Sequence, residues 1–251
     1  MKKYKYVVVA GCSYSLDPSH GKLIEVGKSY GGVIADHFEA KCYNLAKHGG
    51  SFQRMNRKIL GWCGANKDKF RDSLIIIGMT RLERFEFWNI KTRGWYKEGI
   101  SLSYHSIPAG TKGWFSQKND YIDWTVRKRV KWYQNFFNDN AQFLLATNTI
   151  IGLQSFLTLY NIDHVFFNAL ESMDEYWETW CDDKEDKLGY KLLFDSLVSQ
   201  ENWYKHPEYK SMIDFTEKNS DMRMSEEDFH PNKKAHKYWG ECLLEFINEK
   251  V

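Results

Sequence analysis

A serine near the amino terminus and a histidine near the carboxyl terminus could together form a catalytic pair. Ser13 follows a short apolar run in the tripeptide GCS, and His230 precedes a proline in EDFHP. A serine on a tight strand-to-helix turn, a histidine and a nearby carboxylate are the parts of a nucleophilic acyl-transfer site, in which the histidine removes the hydroxyl proton. Glu227 or Asp228 could supply the carboxylate.

Each of these residues has a structural explanation when it is taken alone. Ser13 would more often cap a helix, a glycine such as Gly49 would more often form a turn, and His230 would more often lie on the surface before a helix. A site is favoured because these residues occur together, each directly after a predicted strand or just before the last predicted helix. His48 and His236 are interpreted as structural or surface residues.

Predicted strands and helices alternate along the chain and would bring these residues together. Short apolar runs bounded by turn residues predict strands, and the segments between them carry apolar residues at helical spacing. Strands that alternate with helices imply a parallel sheet covered on both faces, so we expect a doubly wound α/β fold, a flavodoxin-like three-layer α/β/α sandwich. The predicted strands are residues 5–10, 41–46, 73–79 and 163–169, and the predicted helices are 30–38, 52–64, about 126–160 and 232–250.

Two aromatic-rich stretches interrupt this alternation. Residues of about 82–125 and 171–226 combine tryptophan and tyrosine with glycine and charged residues. We interpret both as insertions in a single domain that spans residues 1–251. Because ligands of open α/β sheets bind outside the carboxyl ends of the strands, such insertions can form walls or a lid of the site, or they are decorative loops with small cores of their own.

The charge and cysteine content exclude several classes of partner. Lys and Arg (35) nearly balance Asp and Glu (33), so nucleic acid is not expected as a partner, and the basic run at 126–133 is interpreted as the solvated face of a helix. The five cysteines are widely spaced and never form CxxC, which argues against a disulfide framework and a zinc site. No apolar run approaches the roughly 20 residues of a membrane span, so no membrane partner is expected.

The amino terminus has one feature of an export signal. Residues 9–12 read VAGC, which resembles a lipoprotein cleavage site, and lysines precede it. A signal peptide needs an apolar stretch of roughly 7–15 residues, whereas only the four residues VVVA are available here. Short β-branched runs are typical of buried strands, so we expect a strand here and a cytoplasmic protein.

Four blocks of the sequence resemble the SGNH, or GDSL-like, hydrolase family. The family blocks read GDS, N-x-x-x-x-G, G-x-N-D and D-x-x-H-P; this sequence has GCS at 11–13, Asn44 with Gly49, GMTR at 78–81 and EDFHP at 227–231. The resemblance extends over the whole predicted scaffold and excludes both insertions. It implies an SGNH-like α/β/α sandwich and a serine hydrolase of carboxylic esters that needs no metal or cofactor.

The resemblance also implies roles for individual residues. Ser13 is the expected nucleophile and His230 the base that removes its proton. The acid of the family lies three residues before the histidine, which favours Glu227, while Asp228 could reach the same ring nitrogen with a shorter side chain. Cys12 replaces the aspartate of the GDS block and is a minor alternative nucleophile, because thiolates are strong nucleophiles.

The oxyanion hole is where the sequence departs from the family. The backbone N–H groups of Ser13 and Gly49 are the expected donors, and Gly49 lets substrate approach the backbone closely. The third donor of the family is an asparagine, but this sequence has Thr80 followed by Arg81, and either could substitute for it. Arg81 and Asn44 are candidate substrate-binding residues, although Asn44 could also serve only to tie its loop together.

The expected function is hydrolysis of a small-molecule or glycan ester through a Ser-His-acid triad and an acyl-enzyme intermediate. The tryptophan-rich insertions favour a carbohydrate O-acetyl ester, since sugar rings stack on aromatic side chains. An alternative is a catalytically impaired scaffold that acts as a glycan-binding module, and a weaker one is phosphate or nucleotide binding at the first strand-helix turn. The GCSYS and GMTR forms also resemble SGNH-like proteins of bacteriophages, which would allow a virion-associated protein.

Overall fold

The computed structural model places most of the predicted scaffold. The described residues are 4–18, 28–82, 84, 88–89, 94–95, 139–170, 172–173 and 184–250. The basic run at 126–133 and most of the first predicted insertion lie outside these residues.

The centre of the molecule is a sheet of five parallel strands. Its strands are β1 (Tyr6–Ala10), β2 (Lys41–Asn44), β3 (Ser73–Met79), β6 (Asp163–Asn168) and β7 (Trp203–Tyr204), and a separate antiparallel pair is formed by β4 (Trp88–Asn89) and β5 (Gly94–Trp95). The order across the sheet is β2-β1-β3-β6-β7, which is the flavodoxin-like order. The predicted fold class is therefore confirmed.

Six α-helices in the described residues cover both faces of this sheet. They are α1 (Tyr30–His37), α2 (Phe52–Ala65), α3 (Asp139–Leu159), α4 (Lys184–Leu197), α5 (Met212–Lys218) and α6 (Lys233–Lys250). Helices α2, α3 and α4 contribute buried residues to the core on one face, and α1, α5 and α6 contribute to the core on the other.

The sheet separates the two cores, and successive side chains along a strand point alternately into one core and the other. In β1, Val8 points into the core beneath α2 and α3, whereas Val7 and Val9 point into the core beneath α1 and α6. All residues of β3 are buried. A parallel strand covered on both faces has a continuous apolar sequence, which is why β1 and β3 could be predicted from the sequence.

Contrary to the expectation that no apolar run approaches the length of a membrane span, residues Ala141–Leu159 of helix α3 are apolar enough to cross a membrane, judged by length and composition alone. The buried core helix of a globular protein passes the same test. In this structure its side chains Phe143, Ile150 and Leu157 belong to the core beside α2. The expected absence of a membrane partner stays a prediction.

The second predicted insertion, 171–226, contributes to the central sheet. It contains α4, α5 and the edge strand β7, and β7 pairs in parallel with β6. Trp203 of β7 is buried and stacks on Phe166 of β6, with ring centroids 5.5 Å apart. The alternation of strands and helices thus continues through a stretch that we interpreted as lying outside it, because a strand of two residues shows no periodicity.

The carboxyl ends of β1, β2 and β3 meet at one edge of the sheet. Val9 of β1 is level with Asn44 of β2, and Ala10 of β1 is level with Ile77 of β3. Here the strand order reverses direction, and such a switch point is where open α/β sheets bind ligands. The segments that follow these three strands therefore supply the candidate site.

Candidate active site

The turn after β1 presents Ser13 and buries its neighbour. A Cβ on Gly11 would lie 2.0 Å from Oγ of Ser15 and 3.2 Å from the carbonyl oxygen of Gly78, so the turn requires glycine at this position. A 3-10 helix follows directly at Ser13–Ser15. Cys12 is fully buried in the core, while Ser13 is partly exposed. This geometry does not support Cys12 as the alternative nucleophile.

Ser13, His230 and Asp228 form one hydrogen-bonded chain. Nε2 of His230 lies 2.8 Å from Oγ of Ser13, although the two residues are 217 positions apart in the sequence. Nδ1 of His230 lies 2.5 Å from Oδ1 of Asp228. Because a carboxylate only accepts hydrogen bonds, Nδ1 carries the ring proton and Nε2 accepts the proton of the Ser13 hydroxyl.

The carboxylate that accepts the hydrogen bond from the His230 ring belongs to Asp228, which corrects the preference for Glu227. Oδ1 of Asp228 also accepts the backbone N–H of His230, at 3.0 Å. This bond from an aspartate to the N–H two residues later is an Asx turn, and a short side chain is needed to form it. Glu227 is exposed and makes no hydrogen bond to His230. The spacing of three residues was therefore misleading in this loop.

The electrostatics of Asp228 favour its ionised form. Burial alone would raise the pKa of the carboxyl, but the hydrogen bonds from the backbone and ring of His230 outweigh it, so the pKa of Asp228 lies below its usual value. The carboxylate is thus charged at neutral pH and can orient the imidazole.

The loop that carries the histidine is tied to the strand-one turn and to itself. The hydroxyl of Tyr14 donates to the carbonyl oxygen of Phe229 at 2.9 Å, and the Tyr14 ring lies 5.0 Å from the ring of His230. The N–H of Met224 donates to the carbonyl of His230 at 2.9 Å. Asn232 caps α6 by accepting the N–H of Ala235 at 3.1 Å. These contacts hold the imidazole in place before substrate binds.

The two predicted backbone donors are available. Among the described residues, neither the N–H of Ser13 nor that of Gly49 donates to a protein acceptor. Gly49 has a φ of 61°, in the left-handed region that favours glycine. Their role as an oxyanion hole stays a prediction.

The side chain of Thr80 already takes part in a hydrogen bond with another side chain. Its side chain is fully buried, and its Oγ1 accepts a hydrogen bond of 2.8 Å from Nη1 of Arg84. A hydroxyl that accepts can still donate its own hydrogen, so donation by Thr80 remains compatible with this contact. Arg81 follows Thr80 and is partly exposed. The contact with Arg84 has no signal in the sequence.

The side-chain amide of Asn44 makes hydrogen bonds to backbone atoms and is not free for a substrate. Its Nδ2 donates to the carbonyl oxygen of Ser15 at 2.8 Å, and its Oδ1 accepts the N–H of Ala46 at 3.0 Å. Both ends of the amide are therefore used to join the turn after β1 to the loop after β2. This corrects the prediction of Asn44 as a substrate-binding residue and supports the alternative that it ties the loop together.

Replacing Gly50 by alanine is expected to displace this loop. A Cβ at Gly50 would lie 2.6 Å from the carbonyl oxygen of Gly11, and backbone cannot move away as a flexible side chain can. We expect a loss of about 1–3 kcal/mol in the free energy of unfolding, measured by urea denaturation. Gly61→Ala is the matched control, because a Cβ at Gly61 in α2 meets nothing within 4 Å and should stabilise the helix. Equal stability of the two variants would contradict the contact.

His236, which we interpreted as structural or surface, is buried beside the site. Its ring is 1% exposed, and its Nδ1 lies 3.3 Å from the backbone nitrogen of Tyr30, whose N–H donates to it. Burial lowers the pKa of His236 to about 3. The ring is therefore neutral at neutral pH.

This lowered pKa predicts a pH-dependent stability. Between pH 6.5 and about 3 the unfolded chain binds a proton at His236 that the folded protein does not, so stability falls as pH falls. From pH 6.5 to 5 this group should cost about 1.6 kcal/mol. We expect His236→Asn, which cannot titrate, to lose less stability than the wild type over this range in urea denaturation. Parallel pH profiles would contradict the prediction.

A small pocket opens beside the hydroxyl of Ser13. Its volume is about 10 Å³. No group of three or more His, Cys, Asp or Glu side chains is placed like metal ligands in the part of the chain that the structure describes. The lining residues are Ser13, Leu16, Asp17, Pro18, His48, Met224, His230, Pro231 and His236.

A comparison with protein families finds a match to most of the chain. The model of a family of unknown function, DUF6071, matches residues 14–189, which is more than half of the chain. The chain belongs to this family. The DUF6071 match begins one residue after Ser13 and ends before Asp228 and His230, so membership alone does not describe the triad. No curated protein matches the chain.

This DUF6071 member is similar in structure to solved esterases. A psychrotrophic esterase from Pseudoalteromonas sp. is 10% identical, with a TM-score of 0.49, over 98% of this chain and 97% of that one. A protein described as lipolytic and of the G-D-S-L family, from Desulfitobacterium hafniense, is 10% identical with a TM-score of 0.49, over 96% and 99%. An acetyl xylan esterase from Butyrivibrio proteoclasticus is 13% identical with a TM-score of 0.46, over 100% and 65%. Because these values are low, the case for a function rests on the side chains of this chain.

Proposed function

We propose that the protein is a serine esterase of the SGNH type that hydrolyses an acyl ester through an acyl-enzyme intermediate. The observation that supports it is the continuous hydrogen-bonded chain from Asp228 through His230 to Ser13. Each member has the orientation that its role requires, although the members come from opposite ends of the sequence. Such an arrangement activates a hydroxyl that is otherwise a weak nucleophile.

In the first half of the reaction, Oγ of Ser13 attacks the ester carbonyl carbon while Nε2 of His230 accepts the hydroxyl proton. The ionised carboxylate of Asp228 stabilises the imidazolium that forms and holds it in the correct tautomer. His230 then gives the proton to the leaving alcohol oxygen as the carbon–oxygen bond breaks. An ester between the acyl group and Ser13 remains.

In the second half, water attacks the acyl-enzyme and His230 again acts as the base. The proton returns from His230 to Oγ of Ser13 when the acid product leaves. The backbone N–H groups of Ser13 and Gly49 would stabilise the oxyanion in both halves, and Thr80 would add a hydroxyl donor. Preorganised donors of this kind contribute much of the rate enhancement in acyl transfer.

The substrate class that we propose is a carbohydrate O-acetyl ester. The tryptophan-rich stretch at about 82–125 favours it, because aromatic faces suit sugar rings. The catalytically impaired glycan-binding module is the second candidate, and it draws on Thr80 and Arg81 in place of the family residues. The complete chain of hydrogen bonds supports catalysis over that alternative. The cytoplasmic location and the bacteriophage-type resemblance also remain proposals.

Covalent labelling with a fluorophosphonate tests the esterase proposal. The probe reacts with activated serines, so the folded wild type should be labelled at Ser13. Peptide mass spectrometry identifies the labelled residue. Ser15→Ala is the matched control, because Ser15 lies in the same 3-10 helix and is buried. It should be labelled like the wild type, whereas His230→Ala should not. Folded wild-type protein that resists the probe would favour the glycan-binding alternative.

A further inference from the structure

His236 lines the same pocket as Ser13 and His230, yet the mechanism proposed above does not use it. Its ring is almost entirely buried in the first turn of α6. Its backbone N–H donates to the carbonyl oxygen of Asn232 at 3.0 Å, which fixes the position of the ring relative to the histidine loop.

The hydrogen bond from Tyr30 determines which ring nitrogen of His236 carries the proton. The backbone nitrogen of Tyr30 lies 3.3 Å from Nδ1 and is a donor, so Nδ1 is the unprotonated acceptor. In the neutral ring the proton is therefore on Nε2. The ring can offer one N–H to a ligand without carrying a charge.

The hydrogen bond found for the His236 ring among the described residues is the one at Nδ1, and the Asp17 carboxylate interacts with the ring electrostatically. Nε2 is not among the fully buried polar atoms that lack a partner in the described residues, so it keeps access to the pocket. The ring faces the pocket, so an oxygen of a molecule bound there can satisfy the N–H. This donor lies in the same recess as the nucleophile.

The recess also limits the kind of group that can enter. Its volume of about 10 Å³ is close to the space that one water molecule needs, so a large acyl group cannot enter without displacing the lining residues. The carboxylate of Asp17 lines it and accepts the N–H of Ser29 at 2.8 Å. A negative charge at this place opposes entry of an anionic acyl group, whereas an uncharged carbonyl can approach the neutral donor.

We propose that Nε2–H of His236 donates a hydrogen bond to an oxygen of the ester that Ser13 attacks, and that it selects compact, uncharged acyl groups such as acetyl. This role rests on the proposed esterase function. His236 then touches the substrate directly, and acetyl esters are preferred over esters of dicarboxylic acids.

Binding of acetanilide, an uncharged acetyl amide that is not an ester, tests this role without requiring hydrolysis. In wild-type protein with ¹⁵N-labelled histidine, acetanilide should shift the Nε2 resonance of His236. His236→Asn keeps an acceptor for the N–H of Tyr30 and removes the donor, so the dissociation constant should rise about five- to tenfold. His236→Gln keeps a donor near the Nε2 position and should bind within about twofold of the wild type. Succinanilic acid, with a charged acyl group, should bind more weakly than acetanilide.

The outcomes separate the two proposals. Loss of acetanilide binding in His236→Asn, together with no fluorophosphonate labelling of Ser13, would support a hydrogen bond from His236 to an acyl group in the pocket and overturn the esterase. Labelling at Ser13 with equal acetanilide affinity in wild type and His236→Asn would support the esterase and overturn the role of His236. Absence of acetanilide binding to the wild type would also overturn the role of His236. Circular dichroism of each variant checks that it is folded.

Discussion

Replacing Ser13 by alanine is expected to lower kcat/KM for 4-nitrophenyl acetate by about 10⁴-fold or more. In the proposed mechanism Oγ of Ser13, which lies 2.8 Å from Nε2 of His230, is the nucleophile, and alanine has no atom at this place. Removal of one member of such a triad typically leaves only the residual catalysis from the oxyanion hole and binding. The measurement is the steady-state release of 4-nitrophenolate by purified protein.

Two neighbouring variants make this result specific. Ser15→Ala removes a buried hydroxyl from the same 3-10 helix and should keep most of the activity. Cys12→Ser should also keep it, because Cys12 is fully buried. Activity that survives in Ser13→Ala but disappears in Cys12→Ser would transfer the nucleophile to the thiol and contradict the proposed mechanism.

Replacing Asp228 by asparagine is expected to lower kcat by about 10⁴-fold while the protein remains folded. The asparagine oxygen can still accept the backbone N–H of His230, so the loop keeps its Asx turn. The amide cannot stabilise an imidazolium and it favours the wrong tautomer of His230. Stopped-flow or steady-state kinetics with 4-nitrophenyl acetate give kcat, and circular dichroism reports the fold.

Glu227→Gln is the matched control for this variant. The two acidic residues are adjacent, and each substitution removes one negative charge, so general effects of charge are the same in both. Because Glu227 is exposed and makes no hydrogen bond to His230, its replacement should change kcat by about twofold at most. A large loss in Glu227→Gln with little change in Asp228→Asn would show that the loop adopts another conformation during catalysis.

The fold was largely predictable because its strands are buried on both faces. The apolar run at 73–79 coincides with β3, and the predicted strand at 163–169 contains β6. Helix α2 follows the predicted segment 52–64 to within one residue. The edge strand β7 was not predicted, because its two residues are too few for any periodicity and its partner β6 is far away in the sequence.

The candidate site was predictable in its residue types and less so in its contacts. Ser13 and His230 were selected as a pair, and the structure brings their side chains together. Asp228 and Glu227 were both named, but the preference between them depends on the backbone conformation of one loop. The functions of Asn44 and His236 depend on neighbours from other elements, which no spacing in the sequence reveals.

The alternation of strands and helices could be inferred from the amino-acid sequence, as could the residues that follow each strand, because the spacing of apolar residues is a local property of the chain. Only the folded structure shows which acid meets the histidine, which amide only holds a loop, and which second histidine lines the pocket. Those contacts depend on ångström distances between segments up to 217 residues apart, and they are set by packing of the whole fold.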